Sequence, residues 1–86
     1  MNNEREKALG KYYVLKKEIY DLGVKAQALV NDIQQETESF LSEKDFSTMD
    51  FNKVITLATE LKGLQNEYRS KAEKFEQLKS MYDFSE

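Results

Sequence analysis

The amino-acid sequence predicts an all-α protein, a long antiparallel helical hairpin with helices at about 4–44 and 48–82, dimerising into a four-helix bundle. Three observations carry that reading. Apolar residues recur every three and four positions over two long stretches. Proline is absent from all 86 residues. A single short polar connection separates the two stretches. At this length the chain makes one domain, residues 1–86, at the small end of what folds alone.

The first stretch runs through Ala8, Tyr12, Leu15, Ile19, Leu22, Ala26, Leu29, Ile33 and Phe40, with Glu36 as its one polar interruption. A period near 3.5 places these residues on one helix face, as a coiled-coil seam requires. Asn3 and Glu6 have the spacing of a capping box, which sets the expected start. Gly23 is the candidate break that would make a three-helix bundle instead. The heptad keeps its phase through Gly23, so one continuous helix is predicted, about 60 Å long at about 1.5 Å per residue.

The second stretch follows Val54, Leu57, Leu61, Leu64, Tyr68, Phe75, Leu78 and Tyr82, with Lys71 as its polar member. Ser47 is the expected N-cap, Asp50 falls in the first turn, and Phe46 and Phe51 have the spacing of a hydrophobic staple. An acid there also suits the positive end of the helix dipole. That leaves Lys44-Asp45-Phe46-Ser47 as a tight reversal, and a connection this short makes its helices antiparallel neighbours.

Folding about residue 46 sets Phe40 near Phe51 and Val54, Ile33 near Leu57, Leu29 near Leu64 and Ile19 near Phe75. It also sets large Tyr68 opposite small Ala26 and Gly23, as interdigitated packing needs. The long stem of Lys71 is expected to lie over the seam toward Glu18 or Asp21, and Glu36 is expected in solvent.

Apolar residues extend beyond the seam. Leu9, Tyr13, Tyr20 and Val24 form a second row on the first helix, continued by Val30 and Leu41, while Phe51, Ile55, Ala58, Ala72 and Met81 flank the second stripe. So wide a face is the bundle pattern, and a lone hairpin has little core for its length. The sequence therefore predicts a homodimer whose interface is built from Leu9, Tyr13, Tyr20, Val24, Phe51, Ile55 and Met81. The competing reading is that these residues shield the edge of the hairpin's own core.

Composition excludes most chemistry. The chain has no His, Cys, Pro or Trp. Imidazole and thiolate metal sites, a Ser-His-Asp triad, a thiol nucleophile and disulfides are thus all ruled out. Carboxylate pairs such as Glu73 with Glu76 interleave with Lys71, Lys74 and Lys79, the pattern of a solvated helix face. No glycine-rich phosphate loop is present. The expectation is a protein with no catalytic residues, no cofactor, no metal and no small-molecule substrate. It is a protein-interaction module of adaptor, chaperone-like or structural type.

The formal net charge is −3. Five bases (Arg5, Lys7, Lys11, Lys16 and Lys17) face only Glu6 in segment 5–17, and six acids face only Lys44 in segment 31–51. The basic segment, with Tyr13 as a possible base-stacking group, supplies the alternative function of a nucleic-acid-associated protein. The acidic total argues against it. No segment is apolar enough for a membrane span, and the Met-Asn-Asn-Glu-Arg-Glu-Lys start lacks the apolar core of a secretory signal, so a cytoplasmic location is expected.

The size and plan resemble small secreted helical hairpins with a Trp-x-Gly turn. Here the turn reads Asp45-Phe46-Ser47-Thr48 and Trp is absent, so the motif that defines that group is missing.

Overall fold

Two helices make up the fold, α1 (Asn3–Glu43) and α2 (Phe51–Tyr82), packed antiparallel along their length. The computed structural model describes residues 3–43 and 46–84, apart from the side chains of residues 39, 40, 42 and 43. The expected pairing of Phe40 with Phe51 and Val54 therefore lies outside the described residues. The molecule is a rod of 65 × 20 × 15 Å with a radius of gyration of 18.9 Å. A compact domain of this length would have a radius of gyration of about 12 Å.

α1 runs without interruption through Gly10 and Gly23. An unbroken heptad lets packing on the partner helix offset the roughly 1 kcal/mol that each glycine costs against alanine. Asn3 stands inside the first turn, not ahead of it, so the expected Asn3–Glu6 capping box is not the feature that starts the helix.

The second helix starts three residues later than the expected boundary. Its N-cap is Asp50, whose Oδ1 accepts the Lys53 N–H at 3.0 Å, and not Ser47. Residues 46–49 form a turn closed by the Met49 N–H on the Phe46 carbonyl at 3.2 Å. A carboxylate caps better than a hydroxyl here because it brings a full negative charge to the helix N-terminus. The staple assigned to Phe46 and Phe51 fails with the boundary, since a cap at Asp50 moves the staple positions to Met49 and Val54.

That later start resets the register. Glu18 faces Lys71 and Glu36 faces Lys53, so both pairs are centred between residues 44 and 45, not at residue 46. Tyr12, and not Ile19, stacks on Phe75, with ring centroids 4.6 Å apart. The ion pairs are offset by about three residues from a pairing centred on residue 46, and the Phe75 stack by seven residues from the expected Ile19. The expected meeting of Tyr68 with Ala26 and Gly23 survives in diluted form. All three line one groove, and Tyr68 is still 47% exposed.

α2 closes on Asp83, whose left-handed backbone (φ 55°) lets the Phe84 N–H reach the Lys79 carbonyl at 3.0 Å. This Schellman-type bond adds a second donor to a carbonyl that also accepts the Asp83 N–H, and turns Phe84 back onto the rod. Among the described residues only Ala8, Tyr12, Leu22 and Phe84 are buried apolar side chains, and three of the four sit at the open end of the hairpin.

Gly10 and Gly63 lie within helices, and a Cβ built on either meets nothing within 4 Å. Gly10→Ala and Gly63→Ala should therefore each stabilise the fold by about 0.5–1 kcal/mol, the helix-propensity difference. Chemical denaturation followed by circular dichroism checks this, with the midpoint expected to rise in both variants.

Candidate functional site

The heptad assigns each side chain to the seam or to one of the two flanks of the hairpin. On one flank lie the residues just C-terminal to either seam position of each helix, with Val24 next beyond them. These include Leu9, Tyr13, Tyr20, Gly23 and Val24 from α1 and Phe51, Ile55 and Ala58 from α2. Two adjoining grooves bear out this grouping. Gly23 and Ala26 line one with Ala58, Leu61 and Tyr68, and Gly23 also lines the next with Ile19, Tyr20 and Val24.

This first flank is apolar and uncovered. Tyr20 is 71% exposed, Ile55 62% and Tyr13 58%, and Val24, Val30, Leu41 and Phe51 are also exposed. Leu9 differs from its neighbours because it is half-buried against the core cluster of Ala8, Tyr12 and Phe84. Tyr13 meets Tyr12 edge-on with ring centroids 5.4 Å apart, which holds it at the margin of the same cluster. Met81, the remaining expected interface residue, stands apart from this group. It is exposed on the other flank, beside Lys7, Gly10 and Val14.

The second flank is charged. Lys71 Nζ lies 2.5 Å from Glu18 and 3.7 Å from Glu67, and Lys53 Nζ lies 2.6 Å from Glu36. Lys71 thus reaches over the seam to Glu18 as expected. Glu36 departs from the sequence reading, for its side chain is only 25% exposed and is held by Lys53 across the hairpin. Sequence spacing assigned Glu36 to solvent because the expected register left Lys53 away from it. The hydrogen bond to Glu36, with that carboxylate's attraction, raises the Lys53 ammonium above its ordinary 10.5. The hydrogen bond to Glu18 raises Lys71 against the opposing effect of burial.

The open end carries a third feature. Tyr12 is 1% exposed and sits between Phe75 and Phe84, with ring centroids 4.6 and 5.2 Å away. Phe84 also stacks on Tyr82 at 5.5 Å. Arg5 lies over the Phe84 ring at 5.1 Å and donates to the Tyr82 carbonyl at 3.4 Å. Its cation so meets both an aromatic face and the negative end of α2. Phe84 and Arg5 were invisible to a search for seam periodicity, since Phe84 follows the helix and Arg5 is polar. The alternation Tyr82-Asp-Phe84 after the last heptad residue was the available signal.

The basic segment 5–17 is divided, with Lys7 and Lys11 lining one groove beside Lys74. Its five cations fall at five different heptad positions, and Arg5 is turned onto Phe84. Lys17 is paired with Asp21 at 3.9 Å. Among the described residues no group of three or more potential metal ligands is present, and no helix is long and apolar enough to cross a membrane.

Two tests follow from this geometry. The Tyr12 hydroxyl is buried with no hydrogen-bond partner among the described residues, an arrangement that costs about 1–3 kcal/mol. Tyr12→Phe should accordingly raise the denaturation midpoint by about 1 kcal/mol of stability, and a fall would mean that the hydroxyl has a partner. The raised lysines act in the alkaline range. Their contribution is complete below 10.5 and is lost as pH climbs through their higher folded-state values. Above pH 10.5 the unfolding temperature of the native chain should thus fall more steeply than that of Lys71→Met, as read by thermal scans across the alkaline range.

No family model, curated protein or solved structure matches this chain, so the reading of its function rests on the two unlike flanks of the hairpin itself.

Proposed function

We propose that this chain is a non-enzymatic protein–protein interaction module acting as a homodimer, in which two hairpins close their apolar flanks into a four-helix bundle. The observation that carries this reading is the amount of surface the single hairpin leaves uncovered. Its accessible area is 6885 Å². A folded monomer of this mass is expected to expose about 5,300 Å². The excess is about 1,600 Å² per chain, and two chains burying it would remove about 3,000 Å², within the range of obligate homodimers.

The position of that surface supports the same reading. Tyr13, Tyr20, Val24, Phe51 and Ile55 share one flank, where aromatic and aliphatic side chains supply most of the area an interface buries. The opposite flank carries partly buried ion pairs. Gly23, Ala26 and Ala58 line the trough between the exposed ridges, as a partner's large side chains require for interdigitation.

Replacing Tyr13 and Tyr20 together by Glu tests the assignment. The double variant should elute and scatter as a single 10.1 kDa chain while its far-ultraviolet circular dichroism stays helical, against a doubled mass for the native chain. A native chain that is itself monomeric at micromolar concentration would overturn the proposal.

A further inference from the structure

From the distribution of charge and aromatic residues along the rod, we infer that the two hairpins of the dimer lie in opposite directions, the tip of each over the open end of the other. This inference rests on the self-association proposed above and adds its orientation. The tip half of the chain, residues 23–65, holds seven acids and four bases. The open half, residues 1–22 and 66–86, holds nine acids and nine bases. Aligning two hairpins tip to tip places two net-negative ends within a Debye length of one another, about 8–10 Å at ordinary ionic strength. Opposing them places each negative tip against the formally neutral open end and so avoids that repulsion, an electrostatic preference that selects orientation more than it adds affinity.

The apolar flank is graded in the same sense. Its large exposed aromatics, Tyr13 and Tyr20, lie in the open half of α1. The exposed apolar residues that α2 places on this flank, Phe51 and Ile55, lie in the tip half, whereas its open half presents Arg69, Glu76 and Lys79 there. With the observed register, Tyr13 and Ile55 stand roughly 15 Å on either side of the Gly23–Val24 level, at about 1.5 Å per residue. A twofold axis across the rod at that level lays α1 on the partner's α1 and carries Tyr13 of one hairpin to the level of Ile55 of the other, with exposed Val30 as its nearest apolar neighbour on the partner's α1. It also sets the Gly23–Ala26–Ala58 trough at the crossing, where a Cβ on Gly23 would meet nothing within 4 Å of the single hairpin. Hairpins aligned in the same direction would bring Tyr13 down instead on the partner's polar stretch around Glu76.

Energy transfer between singly labelled chains tests the orientation, and the absence of native cysteine makes each label unique. Thr48→Cys marks the tip and Ser80→Cys the open end, both at exposed positions. Donor-labelled and acceptor-labelled chains are mixed in denaturant, refolded together and examined alongside light scattering. Opposed hairpins give strong transfer in the tip-to-open-end mixture and only background in the tip-to-tip mixture, whose labels are separated by most of the 65 Å rod. Strong tip-to-tip transfer with a doubled mass overturns the orientation and leaves self-association standing. Background transfer in both mixtures with a 10.1 kDa mass overturns both.

Discussion

Two helices share a single line of contact, and that geometric limit governs the rest of this molecule. A seam residue in a hairpin can be covered by one neighbouring helix only, so its outer side stays in water unless something else arrives. Positions such as Leu15, Ile19 and Leu29 follow the heptad faithfully yet are only half-buried. Among the described residues, three of the four buried apolar side chains lie where extra covering exists, and Leu22 at mid-rod is the fourth. At the open end the chain supplies that covering by folding Phe84 back over Tyr12 and laying Arg5 on top. At mid-rod it supplies none, and Tyr68 over Ala26 leaves a trough in place of a filled layer.

The clasp at the open end joins residues 5 and 12 to residues 75, 82 and 84. It fixes the relative slide of the helices where the bend cannot, because a rod tens of ångströms long gives a short connection little leverage over its far end. Stacked and tilted rings favour specific offsets, so the cluster defines register more sharply than aliphatic contacts would. The buried Tyr12 hydroxyl is the cost of using a tyrosine there.

The helices, their continuity through Gly23 and the antiparallel plan were legible in the sequence because they depend on periodicity alone. The register was not. It depends on where α2 begins, and Ser47 and Asp50 are both acceptable caps by residue type. Choosing between them requires knowing that residues 46–49 close a turn of their own. A three-residue error at that cap hid the Glu36–Lys53 pair, and the expected Ile19–Phe75 contact lies seven residues along α1 from the Tyr12 on which Phe75 stacks. The second apolar row was also legible, with one exception. Met81 reads as a flanking residue from spacing, but the flank to which it belongs follows from handedness in the antiparallel pair, and it stands beside Val14 on the charged side.

The two polar interruptions of the seam acquire a common meaning from this geometry. Lys71 and Glu36 occupy equivalent seam positions on opposite helices, and both lean toward the same flank, where Glu18 and Lys53 meet them. A second chain docking on that flank would have to bury two ion pairs, and the desolvation of paired charges commonly exceeds what their attraction returns. Docking on the other flank disturbs neither pair and covers Tyr20 and Ile55. The seam charges so do more than tolerate solvent on their own side. They make one face of the rod unfavourable to cover, which leaves the apolar face as the side on which association gains free energy.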